Sequence, residues 1–163
     1  MTLQARFVHV NLIAEDWRRL ARFYADVFGC VPVQPERRLG GQQLAAATGV
    51  SDAEIRGVHL RLPGFDAAGP TLEIFEYKEF LSSPPVAVNQ RGFGHIAFAV
   101  EDVEAAQNAV LAAGGSSVGE LVSLAISTTR CVTFAYARDP EGNIIELQRW
   151  STLSGVETEG LKR

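Results

Sequence analysis

The chain has little of what marks several large functional classes. It holds two cysteines, Cys30 and Cys131, too few for a disulfide framework. Neither has the Cys–His spacing of a zinc finger, so both are expected to be structural. A reducing, cytoplasmic location is the matching expectation. Long basic runs are absent and the net charge is −4, which argues against nucleic acid as a partner. No stretch approaches the roughly 20 apolar residues that span a membrane, so no membrane partner is expected. Met1 to Arg6 lacks the charged-then-apolar pattern of a secretory signal. What is present is ordinary for a globular protein. Apolar residues make up 47% and charged residues 21%, enough for one domain or two small repeats sharing a core.

The sequence says one thing twice. His9-Val-Asn-Leu-Ile-Ala-Glu15-Asp16 leads into a helical stretch that ends at Gly29. His95-Ile-Ala-Phe-Ala-Val-Glu101-Asp102 leads into another that ends at Gly115. The offset is constant, since 95−9, 101−15, 102−16 and 115−29 all give 86. Each copy is followed by an apolar run with one carboxylate inside it, Thr71-Leu-Glu73-Ile-Phe and Ile144-Ile-Glu146-Leu. The glutamates are 73 apart (146−73), so the second half is 13 residues shorter between histidine and glutamate.

Periodicity orders the elements. Phe7 to Ile13 reads as a strand rich in β-branched and aromatic residues. Asp16 is placed to cap a helix over Trp17 to Phe28, whose Trp17, Leu20, Ala21, Tyr24, Val27 and Phe28 share one stripe. Gly29 suits the left-handed cap that follows. Cys30 to Val33 is predicted as a short strand, and residues 34–56 as a partly ordered flap with a short helix near Gln42 to Thr48. Strands follow over Gly57 to Leu62 and Thr71 to Tyr77. After a linker at 81–92 the order repeats: a strand over His95 to Val100, then a helix capped by Asp102. A loose stretch at 116–129 follows, holding a weakly signalled strand before Gly119. Strands over Cys131 to Ala137 and Ile144 to Trp150 complete the second half. The expected division is a first βαβββ module over 1–80, a linker over 81–92, a second module over 93–150 and a flexible tail over 151–163.

Glu73 and Glu146 each sit among large aliphatic residues. A carboxylate removed from water without a partner costs several kcal/mol, which a cation, a hydrogen-bond network or solvent must offset. A period of 2 puts Glu73 opposite Leu72 and Ile74, and Glu146 opposite Ile145 and Leu147, so both carboxylates turn away from the helix layer. His9 and His95 occupy strands of the same kind. Imidazole and carboxylate together bind nickel, zinc, cobalt, manganese or iron. Any one strand histidine is more often a hydrogen-bonded structural residue, and Glu73 alone could face solvent. The four together favour one divalent metal ion. His59 and Arg61 share a parity that faces the presumed cavity. Arg61 is either a partner for a substrate carboxylate or a solvated strand residue. Tyr77 either closes the cavity or packs.

Several segments resemble the vicinal oxygen chelate superfamily, which includes glyoxalase I, methylmalonyl-CoA epimerase, extradiol dioxygenases, fosfomycin-resistance enzymes and bleomycin-binding proteins. They are Phe7-Val-His-Val-Asn-Leu, Phe23-Tyr-Ala-Asp-Val-Phe-Gly29, Thr71-Leu-Glu-Ile-Phe, Gly92-Phe-Gly-His-Ile-Ala-Phe98 and Asp139-Pro-Glu-Gly-Asn-Ile-Ile-Glu-Leu147. The resemblance implies an α+β fold of two tandem βαβββ modules whose mixed sheets curl into a cup around a metal site. On that pattern His9, Glu73, His95 and Glu146 match the four ligand positions. It also implies a homodimer acting on a small-molecule substrate.

The His-Glu-His-Glu set is most similar to that of glyoxalase I. It implies a divalent-metal-dependent lyase or isomerase that chelates vicinal oxygens and stabilises an enolate, with Glu73 or Glu146 moving the proton. His59, Arg61 and Tyr77 are the candidates for substrate contact. The chain departs from glyoxalase I at Ile13, where an arginine is common, and at Tyr77, where an asparagine is common. Both help hold glutathione, so a glutathione adduct is not the expected substrate. The alternatives are a small-molecule binding protein of the bleomycin-resistance type, or an epimerase or dioxygenase of the same superfamily.

Overall fold

A computed structural model describes residues 3–82 and 84–153. The first strand, β1 (His9–Ile13), runs into α1 (Trp17–Phe28). Asp16 caps the helix, its Oδ1 accepting from the backbone N–H of Arg18 and of Arg19 at 3.1 Å each. Trp17, Leu20, Ala21, Phe23 and Tyr24 form the buried face of α1. Phe23 joins the predicted stripe, while Val27 and Phe28 are only half-buried. Gly29 ends the helix at φ 69°, a left-handed conformation that penalises a Cβ.

The remaining elements of the first half are β2 (Val31–Gly40), α2 (Gln42–Thr48), β3 (Glu54–Arg61) and β4 (Thr71–Tyr77). They make a mixed sheet in the order β1-β4-β3-β2, with β1 parallel to β4 and the other pairs antiparallel. Leu60, Leu72 and Ile74 are fully buried on the α1 side. Each such side chain contributes about 1.5–3 kcal/mol of burial.

The second half is β5 (Ile96–Ala99), α3 (Val103–Ala112), β6 (Ser116–Ala125), β7 (Arg130–Arg138) and β8 (Ile144–Thr152). Its sheet order, β5-β8-β7-β6, repeats the first with the same parallel and antiparallel pairs. Val110, Ile145 and Leu147 are its fully buried core. The fold is therefore α+β, two βαβββ modules each with a mixed four-stranded sheet. Register carries the repeat further than sequence does, because Asn11 pairs with Glu73 as Ala97 pairs with Glu146.

Two stretches are more ordered than their sequences suggest. The strand predicted over Cys30 to Val33 continues to Gly40, and the proposed flap is largely β2, α2 and the start of β3. A register shift between Val33 and Arg37, around Pro35, hides the strand from a period-2 reading. The stretch expected to be loose at 116–129 is mostly β6, with the same kind of shift between Val118 and Val122, around Gly119. The 13-residue difference between halves lies in the connections between strands, one of which holds α2. Residues 41–53 correspond to the shorter 126–129, and residues 62–70 to the shorter 139–143.

Contacts divide the chain into two units, Met1–Val86 with Asp139–Gly142, and Ala87–Arg138 with Asn143–Arg163. Within the first unit the Tyr24 hydroxyl donates to Asp139 Oδ2 at 2.9 Å, both groups being buried. Glu141 accepts from the backbone N–H of Glu15 at 2.7 Å and of Asp16 at 2.8 Å. Strand β8 reaches Thr152, two residues into the stretch expected as a flexible tail; 154–163 lies outside the described residues. Among the described residues, no helix is long and apolar enough to cross a membrane.

Candidate metal centre

Strand parity and register assemble the first cluster. Glu73 lies in the middle of β4, between Leu72 and Ile74, whose side chains face the helix. Its own side chain therefore takes the other face, where β1 offers His9 and Asn11 and β3 offers His59. Glu73 is 7% exposed. Its Oε1 is 3.3 Å from His9 Nδ1 and 3.1 Å from His59 Nε2. Its Oε2 accepts from Asn11 Nδ2 at 3.4 Å. Among the described residues no lysine or arginine is ion-paired with it.

His59 is held at both ring nitrogens, its Nδ1 standing 3.4 Å from Thr71 Oγ1. The Phe75 ring packs edge-on against it, centroids 5.8 Å apart. Burial pulls the His59 pKa below the ordinary histidine value, Glu73 opposes that shift, and Arg37 and His9 add to it. His59 is therefore mainly a neutral imidazole at pH 7, with its Nε2 standing 3.1 Å from Glu73 Oε1.

The second unit has a simpler version. His95 Nε2 and Glu146 Oε2 are 2.8 Å apart. At the cross-strand position that His59 takes beside Glu73, Glu146 has Tyr136. The Tyr136 ring meets His95 edge-on, centroids 5.3 Å apart. Its phenol pKa is raised by burial and by the nearby Glu146 charge. Where Glu73 has Asn11, Glu146 has Ala97, which donates nothing. Glu146 is the more accessible carboxylate, its side chain 17% exposed against 9% for Glu73.

The structure thus joins His9 to Glu73 and His95 to Glu146, and it moves His59 from the cavity wall onto Glu73 itself. Arg61, half-buried, is cross-strand from Thr71 on the Glu73 face. Tyr77 is four residues beyond Glu73, about 13 Å along the strand, so it does not reach that carboxylate. Asn11, Thr71 and Tyr136 were not singled out from the sequence. Only the hairpin register places them, and parity alone does not supply it.

The donor chemistry fits a divalent cation. Each unit offers imidazole nitrogen beside a carboxylate, His9 and His59 at Glu73 and His95 at Glu146. Among the described residues, no three His, Cys, Asp or Glu side chains form a preset metal cluster. A groove of about 820 Å³ in the first unit contains neither the histidines nor Glu73. Its three carboxylates, Glu36, Glu54 and Glu76, are already paired with Arg18, Lys78 and Arg56.

Comparison with known proteins agrees with this architecture. The sequence pattern of the Glyoxalase/Bleomycin resistance protein/Dioxygenase superfamily matches residues 6–147. A probable lactoylglutathione lyase of Vibrio parahaemolyticus serotype O3:K6 (strain RIMD 2210633) is 26% identical over 153 residues, covering 93% of this chain and 96% of that protein. The crystal structure of a glyoxalase family protein from Bacillus cereus superposes with a TM-score of 0.68 at 18% identity, covering 94% of this chain and 97% of the other. A variant of the fosfomycin resistance protein FosX from Listeria monocytogenes, complexed with Mn(II) and 1S,2S-dihydroxypropylphosphonic acid, superposes at 0.52 with 17% identity, covering 90% and 93%. The chain belongs to the Glyoxalase/Bleomycin resistance protein/Dioxygenase superfamily.

Proposed function

We propose that the protein is a divalent-metal-dependent lyase or isomerase of the glyoxalase type. Its substrate is a small molecule with neighbouring oxygens, such as an α-hydroxy carbonyl compound. His9, Glu73, His95 and Glu146 are the proposed metal ligands. The observation that carries this reading is the Glu73 carboxylate, 7% exposed, approached by two imidazoles and, among the described residues, by no lysine or arginine. Such a group is costly in a fold unless a cation or a full set of hydrogen bonds offsets it. The imidazole–carboxylate pair of the second unit repeats the donor chemistry. Similarity to the Vibrio protein and to a relative crystallised with Mn(II) and a vicinal diol supports the same reading.

When bound, the metal supplies Lewis acidity that makes the C–H beside a carbonyl easier to remove. The rest falls to side chains. Glu146 has one imidazole partner and the greater exposure, so it is the freer carboxylate to take a proton. Glu73 is held by His9, His59 and Asn11 and is the fixed one. Arg61, on the Glu73 face, is the proposed donor to a substrate carboxylate. Ile13 and Tyr77 stand where glyoxalase I commonly has glutathione-binding residues, so the substrate is proposed to carry no glutathione.

Proton–deuterium exchange tests the chemistry without knowing the net reaction. Metal-loaded protein in D2O should exchange the acidic C–H of at least one α-hydroxy carbonyl compound in a panel. Protein stripped of metal should not. Equal exchange by both forms, or none by either while a ligand still binds, would favour a binding protein without turnover.

A further inference from the structure

We infer that His59 is a positioning residue for Glu73, a support that the first module has and the second lacks. The inference rests on the proposed metal reading. Both His9 Nδ1 and His59 Nε2 approach the same oxygen, Glu73 Oε1, at 3.3 and 3.1 Å. Their ring centroids are 6.4 Å apart and their planes cross at 84°. The two imidazoles therefore flank the oxygen from different directions. His9 is the ligand of the pair and His59 the support of Glu73.

Three observations assign the roles. His9 has the repeat counterpart His95, which stands beside its own glutamate. The counterpart of His59 in register is Tyr136, which has no imidazole nitrogen to offer. His59 is also engaged on its far side, where Thr71 Oγ1 meets Nδ1 at 3.4 Å, while its side chain is only 23% exposed. With the Thr71 hydroxyl donating to Nδ1, the ring proton would sit on Nε2, the nitrogen 3.1 Å from Glu73 Oε1. A chain of this kind sets the direction of the carboxylate lone pairs. Outer partners of metal ligands commonly matter by 10–100-fold in affinity.

Zinc titration of the metal-stripped full chain tests this without a substrate. His59→Ala should bind Zn(II) about 10–100-fold more weakly than wild type while keeping a stoichiometry of one. His59→Gln, whose amide can still donate, should recover part of the loss. Thr71→Val should show a smaller loss in the same direction. His9→Ala should abolish binding at the same concentrations. Affinity within twofold of wild type in His59→Ala overturns the inference and leaves the four-ligand reading standing. A loss as complete as that of His9→Ala makes His59 a ligand and overturns it as well. No zinc uptake by wild type overturns both. Cooperative urea unfolding of each stripped variant separates weak binding from a failed fold. If His59→Ala does not fold, His59→Gln decides: no loss of affinity there refutes a support that depends on the imidazole.

Discussion

Replacing Glu73 with glutamine should help the metal-free fold and harm the metal-bound one. The carboxylate is 7% exposed and has no lysine or arginine partner among the described residues. Its desolvation costs several kcal/mol. The long Asn11 hydrogen bond and the approach of His9 and His59 at 3.3 and 3.1 Å return only part of that. Glutamine keeps the shape and an acceptor oxygen but removes the charge that must be buried. The stripped Glu73→Gln protein should therefore be more stable than stripped wild type by about 1–2 kcal/mol. At this chain length each kcal/mol raises Tm by about 2–4 °C. Metal reverses the order, because a cation at a hundred times its Kd adds about 2.7 kcal/mol to wild type and little to the variant. Urea unfolding with EDTA and again with zinc reads both halves of the cycle. A stripped variant more than 1 kcal/mol less stable than wild type, or equal stabilisation of both proteins by zinc, would refute the reasoning.

Three other outcomes are expected. Tyr24→Phe removes the 2.9 Å hydrogen bond to Asp139, itself 3% exposed, and should cost about 2 kcal/mol by urea unfolding; a loss below 0.5 kcal/mol would mean that other partners hold Asp139 alone. A Cβ at Gly57 would fall against the Ile74 carbonyl oxygen and the Phe75 ring, so Gly57→Ala should cost about 1–3 kcal/mol and weaken zinc binding, whereas unchanged stability would show that β3 and β4 can part there freely. Cys30 is 3% exposed and its thiol is pushed up to about 11 by burial, so iodoacetamide at pH 8 should label Cys131 and spare Cys30 in peptide mass spectrometry. The folded pKa of Cys30 lies above its ordinary value of 9.0, so its contribution to stability is complete below that pH and declines as pH rises towards 11. Rapid labelling of Cys30 at pH 8 would contradict the burial.

Much of the fold was legible because local signals and the repeat agreed. Asp16 and Gly29 bracket α1 as their chemistry requires, and Thr71 to Tyr77 is β4 to the residue. The alternation around Glu73 gave its face, since Leu72 and Ile74 leave no room for a carboxylate beside the helix. The rest depended on long-range pairing. Pro35 and Gly119 read as breaks, yet both sit where a strand shifts register and continues. His59 could be given a face but not a partner. Its place beside Glu73 comes from the β3–β4 register, set by the loop at 62–70. Tyr136 was invisible for the same reason, being separated from Glu146 by a shorter loop. Family membership was readable from five short segments spread over residues 7–147 taken together, and from no one of them.

The most direct test is the number of divalent ions held per chain. Stripped wild type dialysed against limiting zinc, nickel and manganese should retain close to one ion of at least one metal by elemental analysis. His9→Ala, Glu73→Ala, His95→Ala and Glu146→Ala should each retain less than about a tenth as much, a loss of at least 1.4 kcal/mol of binding energy apiece. Wild type that takes up no metal would contradict the proposed function, and full occupancy in both glutamate variants would contradict the ligand set.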